Sequence, residues 1–145
     1  MKKSKFCKEN YDITSEKFDI KAIIDLMKTA KFPVIINNPF LNCNRICAYQ
    51  QETVRNIVDY LKKDNHVLKV IIFGSSTTHF YQPSKSDLDL YIEVEDGYKI
   101  SQKDFFKNVK VKNDCDFLTS YLVNKESDFY KKEILEKGVV VYVRK

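Results

Sequence analysis

Ile20, Ile23, Ile24 and Met27 recur at i, i+3, i+4 and i+7. That spacing lines one side of a helix and predicts one over residues 18–30. The preceding residues, 1–17, are polar and lysine-rich without a sustained period. Pro33 and Pro39 bracket Val34, Ile35 and Ile36, a run too short to assign, and the Asn-rich residues 37–44 read as loop. A second apolar stripe, Val54, Ile57, Val58 and Leu61, predicts a helix over residues 50–63, with Asp64 and Asn65 marking its end.

The period then changes from helical to extended. Residues 67–73 are a short apolar run rich in β-branched side chains and closed by Gly74, as expected of a strand buried on both faces. Residues 87–95 alternate: Leu88, Leu90, Ile92 and Val94 point one way, Asp87, Asp89, Tyr91 and Glu93 the other, which predicts a half-buried strand. Ser101 and Asp104 form an acidic variant of a capping box. With Ile100 and Phe105 placed to staple it, a short helix should run to about Val109. Strand character resumes over residues 115–122 and helix over 126–136. Gly138 suits a left-handed helix stop, and residues 139–143 form a last β-branched strand. The expected fold is α/β (α+β): a small mixed sheet with helices packed on it. Residues 1–49 form an N-terminal helical extension and residues 50–145 the main unit, together one compact domain.

Length and composition agree with this. At 145 residues, 43% hydrophobic, with three Gly and three Pro, the chain suits one packed domain and is unlike collagenous, Pro-rich or disordered sequences. A core of that size needs neither disulfides nor structural metal. Cys7, Cys43, Cys47 and Cys115 lack the paired spacing of a zinc site and read as reduced thiols. A net charge of +5 favours phosphate-bearing partners but is far below that of a nucleic-acid coat protein. The lysines after Met1 lead into no apolar stretch, and no run approaches membrane-spanning length, so a cytoplasmic location without membrane contact is expected.

The chemistry concentrates between Val70 and Leu90, where Val70-Ile71-Ile72-Phe73-Gly74-Ser75 is followed, after residues 76–86, by Asp87-Leu88-Asp89-Leu90. A glycine directly after a buried strand admits a backbone conformation closed to other residues, so that successive N–H groups and the Ser75 and Ser76 hydroxyls can wrap an anion. On a strand, Asp87 and Asp89 share a face with Cα atoms roughly 6.5–7 Å apart, close enough for both carboxylates to converge on a divalent cation. Taken singly, the first feature is an ordinary turn and the second an ordinary solvated face. Together they point to phosphoryl or nucleotidyl chemistry, because adjacent carboxylates repel unless a cation lies between them.

These residues resemble the nucleotidyltransferases of the DNA polymerase beta superfamily, especially the minimal nucleotidyltransferases. The family signature is a hydrophobic strand ending in Gly-Ser, a helical turn, then Asp-hydrophobic-Asp-hydrophobic; here it reads IIFGSS…SDLDLYIEV. Cys115-Asp116-Phe117-Leu118-Thr119 is similar to the later strand that carries the family's third carboxylate. Asp114, two residues earlier and on the same face, competes with Asp116 for that role. The ending from Ile134 to Tyr142 also looks like that of minimal members, so the resemblance covers about residues 50–145.

It implies a polymerase-beta-like fold and a catalytic set of Asp87, Asp89 and Asp116 holding two Mg2+ ions. It also implies a nucleotide-binding set of Gly74, Ser75 and Ser76, and an NTP substrate, in the first instance ATP. The acceptor would be a hydroxyl of a protein, an RNA or a small molecule, with a helical HEPN-type toxin as candidate partner and the chain as its antitoxin. Minimal members often carry an Arg soon after Gly-Ser; here the positions are Ser76, Thr77, Thr78 and His79. Lys85 is the candidate substitute, and His79 reads as a helix-surface residue rather than a base. The missing Arg keeps a second reading in view, a catalytically inactive binding module that acts through a protein partner.

Overall fold

The computed structural model describes residues 30–145. The helix expected over 18–30 lies outside them except for Ala30, which is not helical. Residues 30–47 follow an irregular path with one short 3-10 turn, Cys43–Arg45. The fully buried side chain of Gln51 holds this segment down. Its amide donates to the Pro33 and Ile46 carbonyls at 2.9 and 3.0 Å, and its Oε1 accepts from the Ile35 N–H at 2.8 Å. A chain without a ladder of its own thus finds partners for its backbone.

Helix α1 (Ala48–Leu61) buries Val54, Ile57, Val58 and Leu61, the predicted stripe. Strand β1 (Val67–Phe73) follows, then a 3-10 turn Gly74–Thr77, strand β2 (Leu88–Val94) and helix α2 (Gln102–Asn108). The Asp104 N–H donates to Ser101 Oγ at 3.1 Å, as the capping pattern foretold. Strand β3 (Cys115–Thr119), helix α3 (Phe129–Glu136) and strand β4 (Val139–Val143) complete the order. Helix α3 is wound as a π-helix, with the Lys137 N–H reaching back to the Lys132 carbonyl. No helix among the described residues is long and apolar enough to cross a membrane.

The four strands form one mixed sheet in the order β3-β2-β1-β4. β1 is antiparallel to both β2 and β4, whereas β2 and β3 run parallel. One face carries Val70, Ile72, Leu88, Leu90 and Ile92 into a core with α1 and with Phe105 of α2. Each fully buried side chain of this kind contributes ~1.5–3 kcal/mol. On the other face, Ile71, Phe73 and Tyr91 pack beneath Tyr130 and Ile134 of α3.

Two expectations change here. Tyr91, assigned by alternation to the polar side of β2, is fully buried because α3 crosses that side; its hydroxyl donates to Glu93 Oε1 at 2.6 Å. Gly138 is not left-handed, since the glycines with positive φ are Gly74 and Gly97. It is small because a Cβ there would meet the Ile134 carbonyl at 2.1 Å and Ile71 Cγ2 at 2.5 Å, where α3 turns tightly into β4.

Candidate active site

Strand β1 delivers its chain end to the site. Phe73 is extended, and Gly74 turns with φ +77°, in the region that favours glycine. The turn is locked by Thr77 Oγ1 donating to the Gly74 carbonyl at 2.9 Å and by Thr78 Oγ1 donating to the Ser75 carbonyl at 3.0 Å. A Cβ on Gly74 would stand 2.1 Å from Asp89 Oδ2. The bare glycine therefore leaves room for a carboxylate against the backbone as well as permitting the turn. Ser75 is partly open. Ser76 is fully buried, its Oγ has no hydrogen-bond partner, and its carbonyl accepts from the Cys47 N–H at the start of α1. The Ser76 hydroxyl is thus shut away from open solvent.

Strand pairing brings the acidic residues together. Phe73 lies opposite Asp89 across β1 and β2, and Asp89 lies beside Asp116 across the parallel β2–β3 pair. Both side chains line one cleft at this end of the sheet. Asp87 precedes β2 and Asp114 precedes β3, both exposed on the same side. Burial first, then the Asp116 carboxyl beside it and the charge of Asp87, lift the Asp89 pKa from 3.8 to about 7. The neighbouring Cys115 thiol is pushed up to about 12 by burial and by the same three carboxylates, so it is inert at neutral pH.

Two clefts meet at Asp116. A cleft of about 430 Å³ is lined by Gly74, Asp89, Asp116, Leu118, Phe129 and Glu133. A shallower one of about 580 Å³ includes Asp87, Lys112, Asp114 and Asp116. Asp114 opens only into the second, whereas Asp116 borders both. Lys85 is exposed on the turn before Asp87, where its N–H donates to the Gln82 carbonyl at 2.9 Å. His79 sits in an exposed turn rather than on a helix, its ring 4.8 Å from that of Phe32. Phe129 and Glu133 escaped the sequence reading. They reach the cleft because α3 folds back over the sheet, with Phe129 edge-on to Phe73 at 5.8 Å and Glu133 paired with Lys137 at 3.1 Å. No local pattern announces such a placement.

The donor set here is hard oxygen. Among the described residues no three His, Cys, Asp or Glu side chains form a ready-made metal cage. Mg2+ is commonly held by one or two carboxylates together with substrate phosphates and water, which suits this arrangement. Carboxyl groups on neighbouring strands also carry the charge that a divalent cation would balance. A family profile described as polymerase beta nucleotidyltransferase matches residues 55–145, a span that contains Gly74, every acidic residue above and the whole sheet. Comparison with curated proteins and with solved structures returns no match.

Proposed function

The chain belongs to the polymerase beta nucleotidyltransferase family, and on that premise we propose that it is a metal-dependent enzyme that moves a nucleoside monophosphate from an NTP to a hydroxyl acceptor with release of pyrophosphate. The observation that carries this reading is the pairing of Asp89 with Asp116 across two strands, with the Asp89 carboxylate directly against the backbone of Gly74. Gly74 and Ser75 present the turn's backbone to the triphosphate at close range. Asp87 and Asp89 would hold both Mg2+ ions, and Asp116, open to both clefts, would hold the catalytic one and orient the acceptor hydroxyl. When bound, Mg2+ would neutralise phosphate charge and make the acceptor hydroxyl easier to deprotonate. Lys85 supplies positive charge from the turn before Asp87, and Ser76 supports the phosphate turn from within. The cleft that α3 closes with Phe129 limits water near the reacting atoms.

ATP is the first substrate to try, and the acceptor to try first is a hydroxyl on a helical HEPN-type partner, with RNA and small molecules as comparison acceptors. The reading is tested by incubating the protein with labelled NTPs, Mg2+ and these acceptors. Label should transfer, and Asp87→Ala or Asp89→Ala should abolish transfer; activity that survives either change rejects the assignment. The missing Arg after Gly74-Ser75 favours the second reading, a fold-keeping binding module. Calorimetry separates the two, since a binding module gives no heat with Mg-NTP while retaining affinity for its protein partner.

A further inference from the structure

Parallel strands are not joined by a tight hairpin, so no turn sets their register. The link from β2 to β3 runs through α2 and the loop that follows it, and a slip of one residue would move Asp116 to the opposite face of the sheet. Something other than the connection must therefore hold Asp116 beside Asp89. The Asn113 side chain lies where the two strands begin. Its Nδ2 is 3.0 Å from Tyr81 Oη, 2.8 Å from the Pro83 carbonyl and 2.8 Å from the Ser86 carbonyl. Two of these neighbours are carbonyl oxygens, which only accept, so the amide nitrogen must face them, sharing its two hydrogens among three acceptors. One side chain thus grips both ends of the loop ahead of Asp87.

The surroundings stiffen this grip. Fully buried Gln50 of α1 donates to the same Tyr81 hydroxyl at 2.8 Å. Lys112 ties the Asn113 loop to the start of α1 through the Tyr49 carbonyl at 2.9 Å, its ammonium 4.6 Å from the centre of the Tyr49 ring. Directly after Asn113, the Asp114 carbonyl accepts from the Leu88 N–H at 2.9 Å, and the ladder that follows pairs Leu88 with Cys115 and Asp89 with Asp116.

We infer that Asn113 is a positioning residue for the acidic site: its amide clamps the loop before Asp87 to the loop before Asp116 and thereby sets the register that brings the carboxylates together. The inference rests on the proposed role of those carboxylates only for its effect on metal. Its effect on strand register stands independently.

The test uses the full chain with Asn113→Ala and Asn113→Asp, the latter turning a donor into an acceptor that faces two carbonyls. Ser120→Ala serves as the control. Ser120 Oγ accepts from the Val94 N–H at 2.9 Å, just past the far end of the β2–β3 pair, so its loss is a comparable injury away from the site. Hydrogen exchange of the Leu88 amide, followed by NMR, should accelerate at least tenfold in both Asn113 variants and not in the control. Calorimetric titration with Mn2+ in the presence of ATP should show affinity falling roughly 10- to 100-fold, as for other groups that orient metal ligands, with Ser120→Ala unchanged. Unaltered Leu88 exchange, or an equal loss of metal affinity in the control, overturns the inference. A parent protein that takes up neither metal nor ATP, yet shows the Leu88 effect, overturns the proposed function and leaves the clamp in place.

Discussion

Replacing Asp89 by Asn should stabilise the metal-free protein at alkaline pH while destroying the site. Asp89 is half-buried against Gly74, pairs with Asp116 on the next strand and has the charge of Asp87 close by; burial first, and then these carboxylates, raise its pKa from 3.8 to about 7. A group whose folded pKa lies above its unfolded value lends stability that is complete below the unfolded pKa and disappears as pH rises through the folded one. The metal-free protein should accordingly lose stability between about pH 4 and pH 8. At face value the rise corresponds to roughly 4 kcal/mol, at 1.36 kcal/mol per tenfold change. Because Asp89 opens partly to the cleft, solvent screening reduces this to ~1–2 kcal/mol.

Asn matches the protonated acid in shape and carries no charge, so Asp89→Asn should recover this amount near pH 8 and almost nothing near pH 4. In a chain of this length the gain corresponds to roughly 3–8 °C in Tm. Thermal melts in EDTA across that pH range measure it. Added Mg2+ with ATP should raise the Tm of the parent protein and leave the variant unmoved. A variant that melts at or below the parent near pH 8, with the same pH dependence, would refute the argument that carboxylate crowding costs stability. The trade is typical of functional sites, where charges are held together for a ligand at the expense of the empty fold.

Gly74→Ala combines a left-handed φ, worth roughly 1–2 kcal/mol against alanine, with a Cβ that would displace the Asp89 carboxylate. It should lower Tm and abolish nucleotidyl transfer even at temperatures where the variant stays folded, as circular dichroism beside the transfer assay would show. Gly138→Ala forces a methyl group into the Ile134 carbonyl and should cost ~1–3 kcal/mol, visible in urea melts, while leaving the KM for nucleotide unchanged. Gln51→Ala removes the partners of the Pro33 and Ile46 carbonyls and of the Ile35 N–H. It should cost ~2–3 kcal/mol and speed limited proteolysis within residues 31–42; digestion at the parent rate would mean that the segment is held by other contacts.

Local pattern was enough to read the elements. The stripe of α1, the β-branched run of β1, the Ser101 cap of α2 and the valines of β4 each betray themselves within a dozen residues, because helix and strand repeat over short distances. The same locality explains the misreadings. Alternation put Tyr91 on the polar side of β2, correctly for direction but not for burial, since only the distant α3 decides what covers it. Glycine after a helix usually marks a left-handed turn, whereas here a Cβ is excluded by the Ile134 carbonyl at the tight exit of α3 and by Ile71 on another strand.

The candidate site divides in the same way. Asp87, Asp89 and the Gly74 turn were legible from sequence because they lie on one strand-turn-strand segment, where spacing along the chain is spacing in space. Whether Asp114 or Asp116 meets Asp89 was not legible. It depends on a parallel pairing across the 26 intervening residues 90–115, which chain spacing leaves free and which contacts such as those of Asn113 restrict. The cleft wall of Phe129 and Glu133, the burial of Ser76 and the hold of Gln51 on residues 30–47 follow from packing alone. Spacing along the chain is enough to single out candidate residues for chemistry; packing chooses which of them meet, because contact between distant segments depends on every layer between and beneath them.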